Sequence, residues 1–446
     1  MGDYSNNWEM YGLKTNPFFT EALLLYGGEI EIRAGFVGRE DEVKRLQTFI
    51  GSRGAGRVLV TGDVGVGKTT LVNYVRALAP PKIFFTPLKE IQTQPEWTGS
   101  DFLLNTLSAI HTTFKVKSEL TLDNFTPEVR NTLTLLFDIV EKKDKNFSLD
   151  ILGTGGGYGS STSVNVPAPT LSSLHIFFEK VIQEIRKMGF QEVILSYNNL
   201  EIMDSMQMTR LFQSIREFIQ TKDVKFIFIG GLSVNQVISK IPRVQSIMSE
   251  SPIVLPCLTL REVKDLLAKR IHYLGVSGLQ PMELYEDDVI SKLYSLYDGN
   301  LRFILNSLSE AFNYILRDNP IVLTSEDLIQ ILPEIAKSRW LNKLTASERE
   351  VLFLILHEKE TTNKKIAESL HRQRQNISPI TNKLIDLCAI RSKMEGKVKF
   401  FSVEPSVKWF LLSKSSDEED VNDKRKKSKQ LDEDVQKALS SFKIAI

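Results

Sequence analysis

A glycine-rich segment limits the folds that this chain can adopt. It reads Gly62-Asp63-Val64-Gly65-Val66-Gly67-Lys68-Thr69 and matches the spacing G-x-x-x-x-G-K-[ST] in full. The β-branched run Arg57–Thr61 precedes it, and Lys68–Leu78 follows with helical spacing. A strand, a loop and a helix in this order form the nucleotide-binding unit of α/β proteins. The pattern therefore predicts a phosphate-binding loop.

The residue types in this loop suit a nucleoside triphosphate. Its glycines let backbone amides converge on phosphate oxygens, and the following helix adds its positive N-terminal end. We expect Lys68 to contact the β- and γ-phosphates, Thr69 to bind Mg²⁺ and Thr70 to lie near the α-phosphate. The expected cofactors are ATP or ADP with Mg²⁺. The alternative, a glycine turn without a ligand, is disfavoured by the complete motif.

Further apolar runs have the composition of buried parallel strands. They are Lys82–Thr86, Glu192–Ser196, Val224–Ile229 and Pro252–Leu255. Segments with helical spacing lie between most of them, which predicts an α/β fold with a parallel-sheet P-loop core. Residues 117–169 show little periodicity, and we interpret them as an insertion. The glycines of Gly153–Ser161 are not a second nucleotide loop, because no Lys-Ser/Thr pair follows them.

Composition restricts the class of protein. The chain has 446 residues, which predicts two or three domains, and its net charge of +1 neither requires nor excludes a polyanionic partner. No apolar stretch is long enough for a membrane span, and no export or lipidation signal begins the chain. Cys257 and Cys388 have apolar neighbours and no CxxC spacing, which is typical of buried cysteines in a reducing cytoplasm. We expect a cytoplasmic protein without a membrane partner.

The C-terminal part predicts helices followed by a hairpin. Segments with helical spacing run from Leu260 to about Leu341. Three more helices are predicted at Ala346–Leu356, Thr362–Leu370 and Asn376–Ala389, before two strands around Glu395-Gly396. This order resembles a winged helix, with the third helix as the recognition-helix candidate.

Positive charge is concentrated in this segment. Residues 362–399 carry nine Lys or Arg against three acids, in a chain whose net charge is +1. Such a balance is typical of contact with DNA phosphates, and Gln or Asn at a helix start can reach base edges. The candidates for double-stranded DNA are Lys364, Lys365, Arg372, Gln373, Arg374, Gln375, Asn376, Lys383, Lys393 and Lys397. A protein-binding winged helix or a solvated basic face are the alternatives.

A second segment adds a family resemblance. With Phe36-Val37-Gly38-Arg39-Glu40 ahead of the loop, residues 10 to about 410 resemble AAA+ and STAND-like P-loop ATPases, especially the prokaryotic origin-recognition initiators. The resemblance implies that Val37, Gly38 and Arg39 lie near adenine, together with Pro17 and Phe18 of the N-terminal lead. Gly299-Asn300-Leu301-Arg302 is similar to the family's second sensor, which implies that Arg302 contacts the γ-phosphate.

The chain departs from this family where catalysis is expected. The family's acidic strand end is replaced by Asn198-Asn199-Leu200-Glu201. Asn198 has no negative charge and Asn199 cannot activate water, so Glu201 or Asp204 would have to substitute. The first-sensor position offers only Ser233, and Ser246-Ile247-Met248 stands where an arginine finger is expected. We therefore predict weak or absent ATP hydrolysis.

These patterns divide the chain into five segments. They are a lead near the adenine (1–34), the nucleotide-binding core (35–258), a helical lid domain (259–341), the winged helix (342–413) and a charged tail that is expected to be disordered (414–446). The resulting hypothesis is a nucleotide-controlled DNA-binding protein, such as a replication initiator, with possible self-association on nucleotide or DNA. The alternatives are a signalling or defence switch with a protein-binding winged helix, and a transposition or transcription regulator.

Overall fold

The computed structural model describes residues 6–151, 169–315, 320–395 and 398–412. The chain forms two compact units, one of Glu21–Leu274 and the other of the described residues in Met1–Thr20 and Gly275–Ile446. These limits differ from the segments drawn from the sequence. The predicted lead is divided after Thr20, and the first predicted lid helix belongs to the unit that holds the phosphate loop. The charged tail, 414–446, lies outside the described residues.

The strands and helices are as follows. The strands are β1 Gly56–Gly62, β2 Phe84–Phe85, β3 Ile91–Gln92, β4 Glu192–Asn198, β5 Val224–Gly230, β6 Ile253–Leu255, β7 Thr361–Thr362, β8 Ile390–Glu395 and β9 Val398–Val403. The helices are α1 Ile32–Gly35, α2 Glu40–Gly51, α3 Lys68–Leu78, α4 Gly99–Val116, α5 Pro127–Ile151, α6 Leu171–Lys187, α7 Ser205–Ser214, α8 Leu232–Ser239, α9 Pro242–Gln245, α10 Leu260–Leu274, α11 Asp287–Leu296, α12 Leu301–Ile315, α13 Ser325–Arg339, α14 Ala346–Glu358, α15 Asn363–Ser369 and α16 Arg374–Asp386.

A parallel sheet forms the centre of the Glu21–Leu274 unit. Its strand order is β2-β4-β5-β1-β6, with β3 beside β4. All of these neighbours pair in parallel. The predicted α/β class and its predicted strands are confirmed. Crossover helices connect the strands, so the carboxyl ends of β1, β4 and β5 meet at one edge, where ligands bind in open α/β sheets.

The sheet is buried on both faces. Along β5, Phe226 and Phe228 pack in one apolar cluster, while Ile227 and Ile229 pack in another. Successive side chains of a strand point to opposite faces, so this alternation shows that β5 separates two cores. The strand therefore reads as a continuous apolar run instead of an alternating one.

Helix α5 shows that part of the predicted insertion at 117–169 is helical, and α4 ends just before that segment. Helix α4 begins at a capping box in which Thr98 and Asp101 satisfy each other's backbone amides. Helix α5 places Val129, Leu133 and Val140 in the core. The helical spacing of these apolar residues was obscured by the polar residues between them. The segment Gly153–Ser161 lies outside the described residues.

The second unit contains the C-terminal helices and a small antiparallel sheet. The sheet order is β7-β9-β8, and α14, α15 and α16 pack on one another and on its strands. The order of helices and strands agrees with the predicted winged helix. The lead contributes aromatic rings to this unit, since Trp8 and Phe18 lie against Phe312.

Two further expectations concern the surface. The cysteines are not core residues, because Cys388 is exposed and Cys257 is half-buried. The left-handed backbone of Cys388, with φ of 54°, places it in the turn after α16, where its side chain points outward. Among the described helices, none combines the length and apolar character that crossing a membrane requires.

Candidate functional site

The phosphate loop has the backbone that its glycines require. Gly62, Gly65 and Gly67 have φ of 154°, 87° and 95°, a region that side chains disfavour. A Cβ on Gly62 would lie 2.7 Å from the carbonyl oxygen of Leu255. Helix α3 begins at Lys68, directly after Gly67. The predicted strand, loop and helix are confirmed as structural elements.

Lys68 is held inside the loop. Its side chain is almost fully buried, and its Nζ donates to the carbonyl oxygens of Gly62 at 3.0 Å and Asp63 at 2.8 Å. These bonds satisfy part of the ammonium's hydrogen-bonding capacity while its charge stays at the mouth of the loop. An anion in the loop would meet this charge and the N-terminus of α3 together.

The sheet places the end of β4 beside the loop. The hydroxyl of Thr69 donates to Oδ1 of Asn198 over 3.3 Å. The next residue, Asn199, has a left-handed backbone with φ of 64°, and its Nδ2 donates to Oε1 of Gln92 at 2.7 Å. Asn tolerates this backbone better than most residues. The two amides thus stand where the family has carboxylates, and one of them faces the loop.

Glu201 and Ser233 lie on adjacent segments after β4 and β5. The Cβ of Glu201 approaches Gly231, and one of its carboxylate oxygens is buried without a hydrogen-bond partner among the described residues. Ser233 is exposed at the start of α8, near the same glycine. The structure therefore brings these two predicted residues together.

A cleft of about 680 Å³ lies beside the start of α2. It is lined by Val37 and Gly38, as the resemblance implies, and by residues that sequence reasoning missed: Phe36, Glu40, Val43, Tyr74, Arg261, Glu262, Asp265, Ala268 and Lys269. The rings of Phe36 and Tyr74 stack with centroids 3.8 Å apart. A planar apolar wall with nearby polar groups is suited to a nucleobase.

Arg39 does not line this cleft, which corrects its expected place beside adenine. Its Nη2 donates to the carbonyl oxygens of Val66 at 3.1 Å and Pro256 at 2.5 Å. Phe18 also differs from expectation. Its ring is 1% exposed and packs against Trp8 and Phe312, so neither face is free for a base.

Arg302 belongs to the other compact unit. It is exposed in the first turn of α12, after Gly299 with φ of 79°. Its second-sensor role stays a prediction.

Two of the predicted DNA-binding residues are engaged within the winged-helix region. Arg372 donates to Glu350 and to Ser347, both at 2.5 Å. Lys383 donates to both carboxylate oxygens of Glu348 at 2.9 Å. The bonds from Lys383 and the Thr345 backbone hold the pKa of Glu348 below its usual value. These cations therefore bind α14, whose acids the sequence did not reveal as partners.

Other candidates are exposed on α15, at the start of α16 and on β8. Lys364 approaches Glu368 at 3.9 Å, a weak surface pair. The exposed side chains are Lys364, Lys365, Gln373, Arg374, Gln375, Asn376 and Lys393. Lys397 lies outside the described residues. A compact group of four, Gln373 to Asn376, stands at the first turn of the recognition-helix candidate.

Part of the Glu21–Leu274 unit matches a known protein family. The family model described as the AAA ATPase domain matches residues 35–220. The resemblance to the AAA ATPases is thus confirmed for this segment. The matched residues include both the loop and Asn198.

Similar proteins extend over more of the chain. An uncharacterised HTH-type transcriptional regulator of Methanocaldococcus jannaschii is 20% identical over 420 residues, which are 91% of this chain and 94% of that protein. The Aeropyrum pernix ORC1 protein in complex with DNA has a TM-score of 0.43 at 16% identity, covering 85% of this chain and 93% of that one. The Aeropyrum pernix ORC2 protein in ADPNP and ADP complexes has a TM-score of 0.45 at 14% identity, covering 90% and 96%.

Proposed function

We propose that this protein binds ATP with Mg²⁺ in its AAA ATPase domain and uses the nucleotide as a conformational ligand that controls binding to double-stranded DNA. The observation that carries the proposal is the contact between Thr69 and Asn198 beside the complete phosphate loop. It supports a site with the shape of an ATPase centre. In this site the amide of Asn198 replaces the carboxylate that would bind the metal and orient water.

The loop residues divide the work of holding the phosphates. Lys68 exchanges its bonds to loop carbonyls for the β- and γ-phosphates. The amides of residues 63–67 and the N-terminus of α3 would bind the β-phosphate, and Thr70 would lie near the α-phosphate. Val37 and Gly38 would hold the adenine in the cleft.

Mg²⁺ fits the oxygen donors at this position. Thr69 would bind the ion directly, and Oδ1 of Asn198 would accept from a metal-bound water. No group of three His, Cys, Asp or Glu gathers as metal ligands in the described ranges. The ion would be held largely by phosphate oxygens and water, and it would neutralise phosphate charge.

Hydrolysis is weak or absent because the site lacks a placed base. Asn198 cannot take a proton from water, and the amide of Asn199 is tied to Gln92. Glu201 is the acid nearest to Asn198 along the chain. One of its carboxylate oxygens has no hydrogen-bond partner among the described residues, so Glu201 can replace the missing base only in part. The nucleotide thus remains bound long enough to bias conformation.

DNA binding is assigned to the winged-helix region. Arg374 supplies phosphate contact, and Gln373, Gln375 and Asn376 face base edges when α16 enters the major groove. The similarity to an HTH-type transcriptional regulator of Methanocaldococcus jannaschii supports this choice. The second-sensor role that the resemblance implies for Arg302 is part of the same proposal.

The cellular role follows from the resemblance. A replication initiator is favoured, and self-association on nucleotide or DNA is part of the same proposal. A transcription or transposition regulator would also bind DNA through the winged helix, whereas a signalling switch would use the winged helix to bind protein.

The test is DNA affinity measured by fluorescence anisotropy with ATP, with ADP and without nucleotide, at several salt concentrations. We expect duplex affinity to fall steeply with salt and to differ between ATP and ADP. The variant Lys68→Ala should bind DNA equally in all three conditions. Binding that ignores salt would refute the DNA assignment, and equal binding by the wild-type protein with ATP and ADP would refute nucleotide control.

A further inference from the structure

Arg39 occupies an unusual position for a charged residue. It is 8% exposed, and its backbone has φ of 68°, a conformation that residues with a Cβ seldom adopt. Burial lowers the pKa of its guanidinium, while Glu42 and Glu262 act in the opposite direction. A strained backbone and a buried charge both lower stability, so we expect the contacts of this side chain to serve a function.

Those contacts reach the phosphate loop. The guanidinium joins the carbonyl of Val66, inside the loop, to the carbonyl of Pro256, which follows β6. Arginine is suited to this task because its planar group carries several fixed donors. The loop must aim amide groups at the phosphates, so a carbonyl such as that of Val66 has to be turned away and satisfied elsewhere.

Glu262 holds the other side of the same turn. Its carboxylate caps α10 by accepting from the backbone and the hydroxyl of Thr259, each at 2.7 Å. It also accepts from the backbone of Arg39 and attracts its charge. A Cβ on Gly38 would collide with this carboxylate, so glycine allows the approach. Burial disfavours the charged form, but these bonds outweigh it and keep the pKa of Glu262 below its usual value.

We propose that Arg39 is a positioning residue for phosphate binding and that Glu262, which also lines the cleft, fixes it, so that Arg39 sets the shape of the phosphate loop without touching the nucleotide. This inference rests on the proposed ATP binding. The contacts run from Val66 through Arg39 to Glu262, all within the Glu21–Leu274 unit. Arg39 itself does not line the cleft.

The test compares the buried Arg39 with the half-buried Arg57, because both side chains donate to backbone carbonyls. Arg39→Met removes the loop contact, whereas Arg57→Met removes bonds to Ile247 and Ile219 at the start of β1. Calorimetric titration with ADP and ATP, each with Mg²⁺, gives phosphate-dependent affinity, and a ligand-observed NMR titration with adenosine gives affinity for the base and ribose. Thermal unfolding without nucleotide records stability.

We expect Arg39→Met to weaken ADP and ATP binding by about tenfold or more, as for loss of a charged hydrogen bond, with adenosine affinity unchanged within about twofold. Arg57→Met should lower the unfolding temperature and leave all three affinities unchanged. A merely structural role for Arg39 would lower stability and change ADP and adenosine affinity by the same factor, or change neither. Either result overturns the inference.

Two more variants cover a failure of Arg39→Met to fold. Arg39→Gly removes the same guanidinium and relieves the left-handed strain, so we expect a folded protein with the same loss of ADP affinity. Glu262→Gln keeps an acceptor for Thr259 but lacks the charge, and should weaken ADP binding by about threefold or more. Normal ADP affinity in both variants contradicts the inference. A wild-type protein that binds no nucleotide contradicts the proposed function itself.

Discussion

The hydroxyl of Thr69 and the amide oxygen of Asn198 are 3.3 Å apart, which links the start of α3 to the end of β4. In an ATPase with an acid at this strand end, the same contact would place a carboxylate beside the metal. Here a neutral oxygen takes its place. The geometry of the site is kept while its charge is lost, and this combination predicts binding without efficient turnover.

Restoring the charge should raise turnover. The variant Asn198→Asp adds a carboxylate beside Thr69, so we expect stronger Mg²⁺ dependence and a rise in ATP hydrolysis of about tenfold or more, because the carboxylate helps to orient the metal-bound water. Phosphate release under multiple turnover measures this. The variant Asn198→Ala is the control and should not gain activity. Equal rates for both variants would show that the Asn198 position does not limit hydrolysis.

The two neighbouring arginines of the winged-helix region should behave differently. Arg374 is exposed at the start of α16, whereas Arg372 is bonded to Glu350 and Ser347. We expect Arg374→Ala to weaken duplex DNA binding and to reduce the salt slope by about 0.9, the loss of one phosphate contact. Arg372→Ala should change the slope less and lower the unfolding temperature instead. Equal changes in salt slope for the two variants would contradict the view that Arg372 is bonded to side chains of α14 and does not contact DNA phosphate.

A buried histidine predicts sensitivity to acid. His111 of α4 stacks on Phe137, and burial, assisted by Lys115, lowers its pKa despite Asp138. The folded state therefore favours neutral His111, and the unfolded chain binds the extra proton as the pH falls below about 6.5. Stability should be full above this pH and decline below it, by at most about 1.4 kcal/mol per pH unit from this residue.

Substitution isolates this effect. His111→Phe keeps a ring against Phe137 and removes the titrating group, at the loss of one long contact of 3.5 Å between Nε2 and the Thr134 hydroxyl. Thermal unfolding at pH 7.5 and 5.5 should show a smaller difference in the variant than in the wild-type protein. An unchanged difference would mean that other groups cause the acid sensitivity.

The elements nearest the loop were predictable because their signals are local. Helix α3 has the predicted bounds, Lys68–Leu78, since the glycines fix its start and the apolar spacing fixes its length. Helix α5 was missed, although Val129, Leu133 and Val140 have helical spacing, because polar residues separate them.

The partners of charged side chains were not predictable. Arg39 lies 223 positions before Glu262, and no spacing rule joins them. In the sequence, Arg372 and Lys383 are cations of a basic segment. In the structure they pair with Glu350 and Glu348 of α14. The sequence shows which side chains are charged, but the partner of each charge depends on tertiary packing.

The central claim is that the loop binds ATP without efficient hydrolysis. The most direct measurement is calorimetric titration of the wild-type protein and Lys68→Ala with ATP and Mg²⁺, together with phosphate release from the same samples. We predict binding that Lys68→Ala abolishes and turnover of about 10⁻² s⁻¹ or slower. Unchanged affinity in Lys68→Ala, or robust multiple turnover by the wild-type protein, would contradict the account.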